Sequence, residues 1–312
     1  MKAETFVNLL KPGQFYAGPI FIKTGLSDKS LPPYADLQSF LDTELRDSRG
    51  ELAIACGDQP WSKKDRARMM NTGQFKAVLY DNNHPSFPFN ALDIQCKFSE
   101  GLRLKEFDTY ECRFLPYLAG YVQHSGGRLI GKEDWIAPER WALIGNGALS
   151  VPHMDSHGYC TFLRVIEGQV GFLWLSHPSE DSLKLWATNI NENVEHEEWK
   201  FTVIEKNETI YFPAGTVHAV FHTRKGEPTF MLGGHILRNS TVDEWARICL
   251  FQKEYIDATN EDVGDIAKLI WKGAQYLTEE IKDVSKIAGF GGQEKINAFW
   301  RYAKVSNLRL MV

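Results

Sequence analysis

Three residues of the chain have side chains that together could hold a reactive metal ion. His153 and Asp155 stand two residues apart, and His218 follows 63 residues after Asp155. Two histidines and one carboxylate form a facial triad, which leaves open positions on the metal and is typical of Fe(II) sites. A His-x-Asp pair is common in a chain of 312 residues, so the assignment depends on the elements that position the three side chains.

Strand geometry explains how the first two side chains reach one ion. Residues i and i+2 of an extended strand point to the same face, so His153 and Asp155 are predicted to share a face of one strand. A second strand is predicted over Val217–His222, after the turn at Pro213–Gly215. A small β-barrel would bring His218 against the first pair. The alternative is a pair of histidines packed in the core of such a barrel without a metal.

The central part of the chain has the pattern of an all-β domain. From about residue 110, short apolar runs alternate with turn signals, a spacing typical of a barrel or sandwich. The predicted strands are 141–145, 159–166, 170–175, 199–204, 209–212, 217–222 and 229–237. The polar segments 176–181 and 189–198 between them are predicted to be loops.

The two ends of the chain differ from this centre. Residues 1–110 mix helical and strand patterns, so we predict an α/β extension that packs on the β core of residues 111–240. Within the extension, residues 82–90 read as a loop that carries a solvated or capping His84. Residues 241–312 are predicted to be helical and to end in a short helix.

The C-terminal segment is rich in aromatic residues. It contains many aromatic side chains for a terminal segment, namely Trp245, Phe251, Trp271 and Tyr276. They indicate either packing onto the β core or a homodimer interface formed by the C-terminal helices. The sequence leaves both open.

Composition limits the class of protein. The hydrophobic content of 43% supports a sizeable core, and the formal net charge of -5 argues against a general nucleic-acid binder. The five cysteines are scattered without CxxC spacing, which indicates neither a zinc ribbon nor a disulfide framework. No signal peptide or membrane span is predicted. We therefore expect an intracellular protein, cytoplasmic or nuclear.

Two segments of the chain resemble a known family. Ser150–Trp174 is similar to the first metal-binding segment of JmjC-domain oxygenases, and Glu208–Arg238 resembles their distal-histidine segment. The second segment is the more specific, because it joins Tyr-Phe-Pro-Ala-Gly-Thr-Val-His to a downstream Gly-Gly-His at a fitting distance. The N-terminal part fits the family only in layout. The chain looks most like the stand-alone JmjC proteins that are numerous in fungi.

The resemblance implies both a fold and a chemistry. The fold is mainly β, a double-stranded β-helix (a jelly-roll, cupin-like barrel) with flanking helices. The activity is that of a dioxygenase that uses Fe(II), 2-oxoglutarate as cosubstrate and O2, with His153, Asp155 and His218 as the ligands. It hydroxylates or demethylates a protein, peptide or small molecule. No cysteine cluster or basic tail points to chromatin.

The chain departs from the family where the far carboxylate of 2-oxoglutarate binds. Relatives have a lysine there, and this chain has Val170. Strand alternation places Thr161 and His222 on the inner face, so these two are expected to replace part of the lysine's role. A packed core role for His222 is an equal alternative, and Arg164 is a candidate if a bulge shifts the alternation.

Further candidates for the site come from the same resemblance. Ser150 matches a position where relatives have a hydroxyl that contacts the cosubstrate. His235 occupies a place where many demethylating relatives have Asn near the iron, and it is expected to orient O2 or substrate or to be structural. His157 stands two residues after Asp155, so in a continuous strand it would point to the same face as His153 and Asp155, but it lies at a predicted bend.

Two rival functions from other classes remain open. One is an inactive binding module with the JmjC fold, which Val170 favours. The other is a cupin-type metalloenzyme that does not use 2-oxoglutarate.

Overall fold

A computed structural model describes much of the chain. The described residues are 2–12, 16–23, 34, 36–45, 51–56, 67–80, 88–95, 107, 109–118, 140–189, 199–223, 227–259 and 266–308. The strands are β1 Ile20–Ile22, β2 Glu51–Cys56, β3 Ala67–Asn71, β4 Phe89–Gln95, β5 Arg140–Asn146, β6 Cys160–Glu167, β7 Val170–Leu175, β8 Trp199–Ile204, β9 Thr209–Phe212, β10 His218–His222 and β11 Thr229–Ile236. The helices are α1 Ala3–Leu9, α2 Leu37–Glu44, α3 Thr72–Leu79, α4 Glu180–Thr188, α5 Val242–Glu254, α6 Ile266–Glu280 and α7 Gln293–Leu308.

The strands form two antiparallel sheets. The larger sheet has eight strands in the order β1-β9-β6-β11-β5-β4-β2-β3, and the smaller has three in the order β10-β7-β8. Strands β1 to β4 of the N-terminal part therefore continue the same sheet as β5, β6, β9 and β11. The structure is mainly sheet with flanking helices, and this arrangement is compatible with a β-sandwich.

Apolar side chains from both sheets fill the space between them. Val170 and Phe172 of β7 lie in one buried cluster with Leu163 of β6, Phe212 of β9 and Met231 of β11. Each of these strands alternates its side chains between this space and its outer face. Burial of one such side chain contributes about 1.5–3 kcal/mol, so this cluster holds the two sheets face to face.

Helix α2 covers the outer face of the larger sheet. Its Phe40 packs on Phe230 of β11, with ring centroids 4.9 Å apart. The Asp36 side chain caps the helix by accepting a hydrogen bond from the Ser39 backbone at 2.7 Å. The Leu37 amide donates to the Glu167 carboxylate at 2.8 Å, which ties the start of the helix to the end of β6.

Helices α5, α6 and α7 form a layer against one end of the sheets. Trp245 of α5 stacks on Phe299 of α7, and Tyr276 of α6 lies in the same buried cluster. Trp245, Phe251 and Tyr276 are buried, and Trp271 is half-buried against the same layer. The aromatic side chains that suggested a dimer interface are thus covered within one chain, and homodimerisation stays a prediction.

Most predicted elements are observed, and one expectation is wrong. The predicted strands between 141 and 237 match β5 to β11 closely. The predicted loop at 176–181 is irregular through residue 179, and α4 begins at Glu180. Of the other two predicted loops, residues 82–87 and 190–198 lie outside the described residues, and β4 begins at Phe89. The last helix, α7, has 16 residues and is not short. The prediction for His84 lies outside the described residues. No helix among the described residues is long and apolar enough to cross a membrane.

The packing of α2 on β11 predicts a large effect of one truncation. Phe230 is 0% exposed, so Phe230→Ala should lower the free energy of unfolding by about 3–5 kcal/mol. Phe201 of β8 is 70% exposed, and Phe201→Ala should change it by less than about 0.5 kcal/mol. Urea unfolding of both variants checks this, and equal losses would contradict the assigned faces of the two strands.

Candidate metal centre

The three side chains of the predicted triad lie together in the structure. His153 Nε2 is 3.8 Å from Asp155 Oδ1, and His218 Nε2 is 3.6 Å from the same oxygen. The three candidate ligand atoms lie within 4.8 Å of one another. Among the residues that the structure describes, no other group of three or more His, Cys, Asp or Glu side chains comes this close.

Backbone hydrogen bonds fix the distance between the two histidines. His153 N donates to His218 O, and His218 N donates to His153 O, each at 2.9 Å. This pair is an isolated bridge, because the chain turns at Ser156–Gly158 directly after Asp155. The prediction that His153 and Asp155 lie in one regular strand is therefore wrong. Their segment is nevertheless extended, and both side chains reach the same point.

Each histidine is oriented by its other ring nitrogen. His153 Nδ1 lies 2.7 Å from Val151 O, and His218 Nδ1 lies 3.0 Å from Thr216 O. A carbonyl oxygen only accepts, so each Nδ1 carries the proton and donates it. The lone pair of each Nε2 is then directed at the Asp155 carboxylate. Metal-binding histidines are commonly fixed in this way.

The electrostatics of the site favour the protonation states that bind a metal. Burial lowers the pKa of His218 from 6.5 to about 4, so its ring is neutral at pH 7. Burial raises the pKa of Asp155, but the nearby rings of His218, His235 and His153 and a hydrogen bond from Thr161 hold it below its ordinary value. A neutral imidazole and an ionised carboxylate are the forms that ligate metals.

Thr161 and His235, two predicted site residues, lie beside the triad. The Thr161 hydroxyl donates to Asp155 Oδ2, which leaves Oδ1 facing the histidines. His235 Nδ1 lies 3.1 Å from the Thr161 oxygen and donates to it. The His235 ring packs between Trp141 and Tyr159, with centroids 5.3 and 5.1 Å away. This chain of contacts orients the carboxylate.

Gln252 holds the loop that carries Asp155. It comes from α5 and is 0% exposed. Its Nε2 donates to Asp155 O at 2.7 Å, and its Oε1 accepts from Gly158 N at 3.0 Å. Gly158 has a φ of 64°, the left-handed region that favours glycine. One side-chain amide therefore clamps both ends of the turn that follows the metal ligand.

The triad opens into a cavity between the two sheets. The space free of protein atoms in this cavity and at its open mouth totals about 730 Å³. One wall of the cavity is a row of three side chains from β10, those of His218, Val220 and His222. At about 3.3 Å per residue, the cavity extends roughly 13 Å along that strand. Its other walls are mostly apolar and include Leu163 and Met231.

His222 lies at the far end of the cavity from the triad. Its Nε2 contacts Asn90 Oδ1 at 3.0 Å, and its Nδ1 contacts the Thr229 hydroxyl at 2.7 Å. It pairs with Val170 across β10 and β7, as predicted. The structure does not join it to Thr161, which contacts Asp155 and His235 instead. A shared role of His222 and Thr161 in binding a carboxylate therefore has no support from their contacts.

Ser150 also lines the cavity, but its hydroxyl is committed to the backbone. Ser150 Oγ accepts from Val220 N at 2.6 Å and lies 3.2 Å from Val220 O. The side chain thus completes the edge pairing of β10. Its predicted contact with a cosubstrate stays a prediction.

Two further candidates lie away from the cavity. Arg164 is buried on the face of β6 opposite to Thr161, as simple alternation predicts, and it does not line the cavity. His157 has a φ of 57° and contacts Ser156 at 2.9 Å. Its carbonyl oxygen accepts from the Trp245 indole at 2.9 Å. Its place in the turn is therefore structural.

Sequence reasoning missed Gln252 and Asn90. A signal for Gln252 was present, because it stands four residues after Ile248 and seven after Trp245 on the buried stripe of α5. A polar residue at such a position needs a buried partner. Asn90 gave no local signal, since it reaches the cavity only through the pairing of β4 with β5.

Comparisons with known proteins do not place the chain in a family. No model of a known protein family matches the sequence, and a search of the curated proteins found no significant match. The function is therefore inferred from the residues of the site and their geometry, because a fold alone does not define an activity.

The clamp by Gln252 predicts a specific loss of metal affinity. Gln252→Met keeps the volume but removes both hydrogen bonds to the Asp155 loop, so the affinity for a divalent metal should fall about 10–100-fold. Isothermal titration with Co²⁺ measures this. Gln293→Met, at an exposed position of α7, is the matched control and should bind as the natural chain does. Unchanged affinity in Gln252→Met would show that the clamp does not position the ligand.

The buried histidines predict that acid destabilises the metal-free protein. Burial lowers the pKa of His222 from 6.5 to about 4. Below pH 6.5 the unfolded chain binds a proton at this histidine that the folded chain does not bind. The free energy of unfolding therefore falls as the pH is lowered to about 4, by at most about 3 kcal/mol for this residue. Urea unfolding between pH 7.5 and 4.5 should show a flatter profile for His222→Gln. The exposed His177→Gln should keep the natural slope.

Proposed function

We propose that the protein is an iron(II)-dependent oxygenase of the JmjC type. The observation that carries the proposal is the convergence of two oriented imidazole nitrogens and one ionised carboxylate oxygen at the end of a cavity between the two sheets. Two histidines and one carboxylate on one side of an ion leave its remaining positions to small molecules, as non-haem Fe(II) oxygenases require.

The residues fit an iron(II) ion. His153, Asp155 and His218 would hold it through Nε2, Oδ1 and Nε2, since their other polar atoms already have partners. When bound, the ion supplies O2 activation for the oxidation of a C–H bond. Thr161 and His235 keep the carboxylate oriented, and Ser150 holds β10 in register beside it.

The walls of the cavity protect such chemistry from water. Phe172 stacks on the His218 ring with centroids 5.4 Å apart and an interplanar angle of 14°, and Phe212 lies 4.6 Å away on a tilted plane. Trp141 contacts His235 on the other side. Excluding bulk water limits side reactions of a reactive oxidant.

The fold supports the same proposal. Strands β5 to β11 form two facing antiparallel sheets, and the candidate ligands lie between them at one end. A double-stranded β-helix would have this arrangement. We therefore propose this jelly-roll, cupin-like barrel as the core, with the reaction being hydroxylation, or demethylation through hydroxylation, of a protein, peptide or small molecule.

One observation favours a second candidate. Among the described residues that line the cavity there is no lysine or arginine, and Val170 lies in an apolar cluster beside it. The triad fits a metal, but the described residues that line the cavity offer the far carboxylate of 2-oxoglutarate no cationic partner, and burying such a charge unpaired costs several kcal/mol. A metalloenzyme of the same fold that does not use 2-oxoglutarate is the second candidate.

Metal analysis of matched variants tests the proposal. After anaerobic reconstitution with Fe(II), the natural chain should hold stoichiometric iron, and His153→Ala and Asp155→Ala should each lose it. His177→Ala, at an exposed histidine outside the site, should keep it. Stoichiometric iron in His153→Ala would refute the triad.

Turnover then separates the candidate functions. Oxygen uptake with carboxylic-acid release from a 2-oxo acid supports the oxygenase. Bound iron without oxygen uptake with any tested 2-oxo acid contradicts the oxygenase and favours the metalloenzyme that does not use 2-oxoglutarate or an inactive binding module.

A further inference from the structure

The far end of the cavity is built as an interlocked polar unit. Asn90 of β4 pairs with Gly145 of β5, and Gly145 pairs with Thr229 of β11, so the three residues lie in one row across the larger sheet. His222 of β10 reaches this row from the smaller sheet and contacts Asn90 and Thr229 on either side of Gly145. A Cβ at position 145 would overlap both the His222 ring and the Asn90 side chain, so glycine is what admits the imidazole.

The hydrogen bonds of this unit have a single consistent direction. Asn90 Oδ1 only accepts, so His222 Nε2 carries the proton and donates to it. The Thr229 hydroxyl has two acceptors within reach, His222 Nδ1 at 2.7 Å and Gly145 O at 3.4 Å, and it donates to the nearer one. Both nitrogens of His222 are thus occupied, and the Asn90 amide NH₂ is the donor left for a ligand. Among the described residues, this end of the cavity therefore offers hydrogen-bond donation without a positive charge.

The stretch between the two ends is apolar. Val220 lies between His218 and His222 on β10, and Leu143, Leu163 and Met231 face it from the larger sheet. A ligand that spans the cavity from the metal therefore passes an aliphatic wall before it meets Asn90. Aliphatic chains are favoured there because their burial removes apolar surface from water, whereas the described residues at the far end give a carboxylate no ionic partner to offset its desolvation.

We propose that the acid bound beside the metal is a 2-oxo acid with one carboxylate only, whose far end is uncharged. This inference rests on the proposed oxygenase function and names its cosubstrate class. With a metal held by the triad, its oxo and carboxylate oxygens would bind beside the three side chains, and its tail would lie along Val220. The overall reaction is balanced for any tail: R–CO–COO⁻ plus O2 and substrate C–H gives R–COO⁻, CO2 and substrate C–OH. 2-Oxoglutarate, a dicarboxylate, is disfavoured.

A series of acids with matched chains tests the proposal on the natural protein. Anaerobic calorimetry on the iron-loaded chain compares 2-oxohexanoate and the 5-methyl ester of 2-oxoglutarate with 2-oxoglutarate itself. We expect both uncharged-tail acids to bind at least tenfold more tightly than the dicarboxylate. Equal or tighter binding of 2-oxoglutarate overturns the inference.

A variant pair at Val170 supplies the second arm. Val170 faces the space between the sheets and pairs with His222, so Val170→Lys adds a cation beside the far end. It should tighten 2-oxoglutarate binding at least tenfold, and Val170→Met, of similar length without the charge, should not. If both variants bind 2-oxoglutarate more tightly, or if both fold and neither does, the proposal is contradicted. If Val170→Lys does not fold, the acid series decides alone.

The iron content of the same samples separates a failure of the proposed function from a failure of the proposed cosubstrate class. A natural chain that binds no iron overturns the proposed function and this inference with it. A chain that binds iron and prefers 2-oxoglutarate overturns the cosubstrate class only, and the oxygenase proposal stands.

Discussion

The reciprocal backbone hydrogen bonds between His153 and His218 are the constraint on which the site depends. They join the segment before β6 to the first residue of β10, and so set the separation of two candidate ligands, one in an isolated bridge and one in a strand of the smaller sheet. Once that bridge is made, alternation along β10 places Val220 and His222 on the cavity wall. The separation of the two histidines therefore follows from one pair of peptide groups.

Local patterns in the sequence were sufficient for much of this structure. The strands β5 to β11 follow short apolar runs bounded by turns, and the inward direction of Thr161 and His222 follows from a two-residue period. The triad was predicted because a His-x-Asp pair precedes a predicted strand, a distal histidine follows a predicted turn, and the segments around them resemble those of a metal-binding family. The strands and their inward faces need only neighbours along the chain, whereas the pairing of His153 with His218 does not.

Features that depend on distant pairing were not predictable. Asn90 reaches the cavity because β4 pairs with β5, some fifty residues later in the chain, and the chain before β4 has the prolines and asparagines of a loop. The partners of His222 were not predictable for the same reason, because Asn90 and Thr229 come from two other strands. A polar side chain can be placed on a face from sequence, but its partners cannot.

The clamp by Gln252 makes the C-terminal helices part of the metal site, although they supply no ligand. A ligand that binds only the folded form stabilises whatever must be ordered to bind it. If a metal binds the triad, its binding and the docking of α5 are coupled through this amide. Docking of α5 would then raise the metal affinity, and a bound metal would in turn slow amide hydrogen exchange in α5.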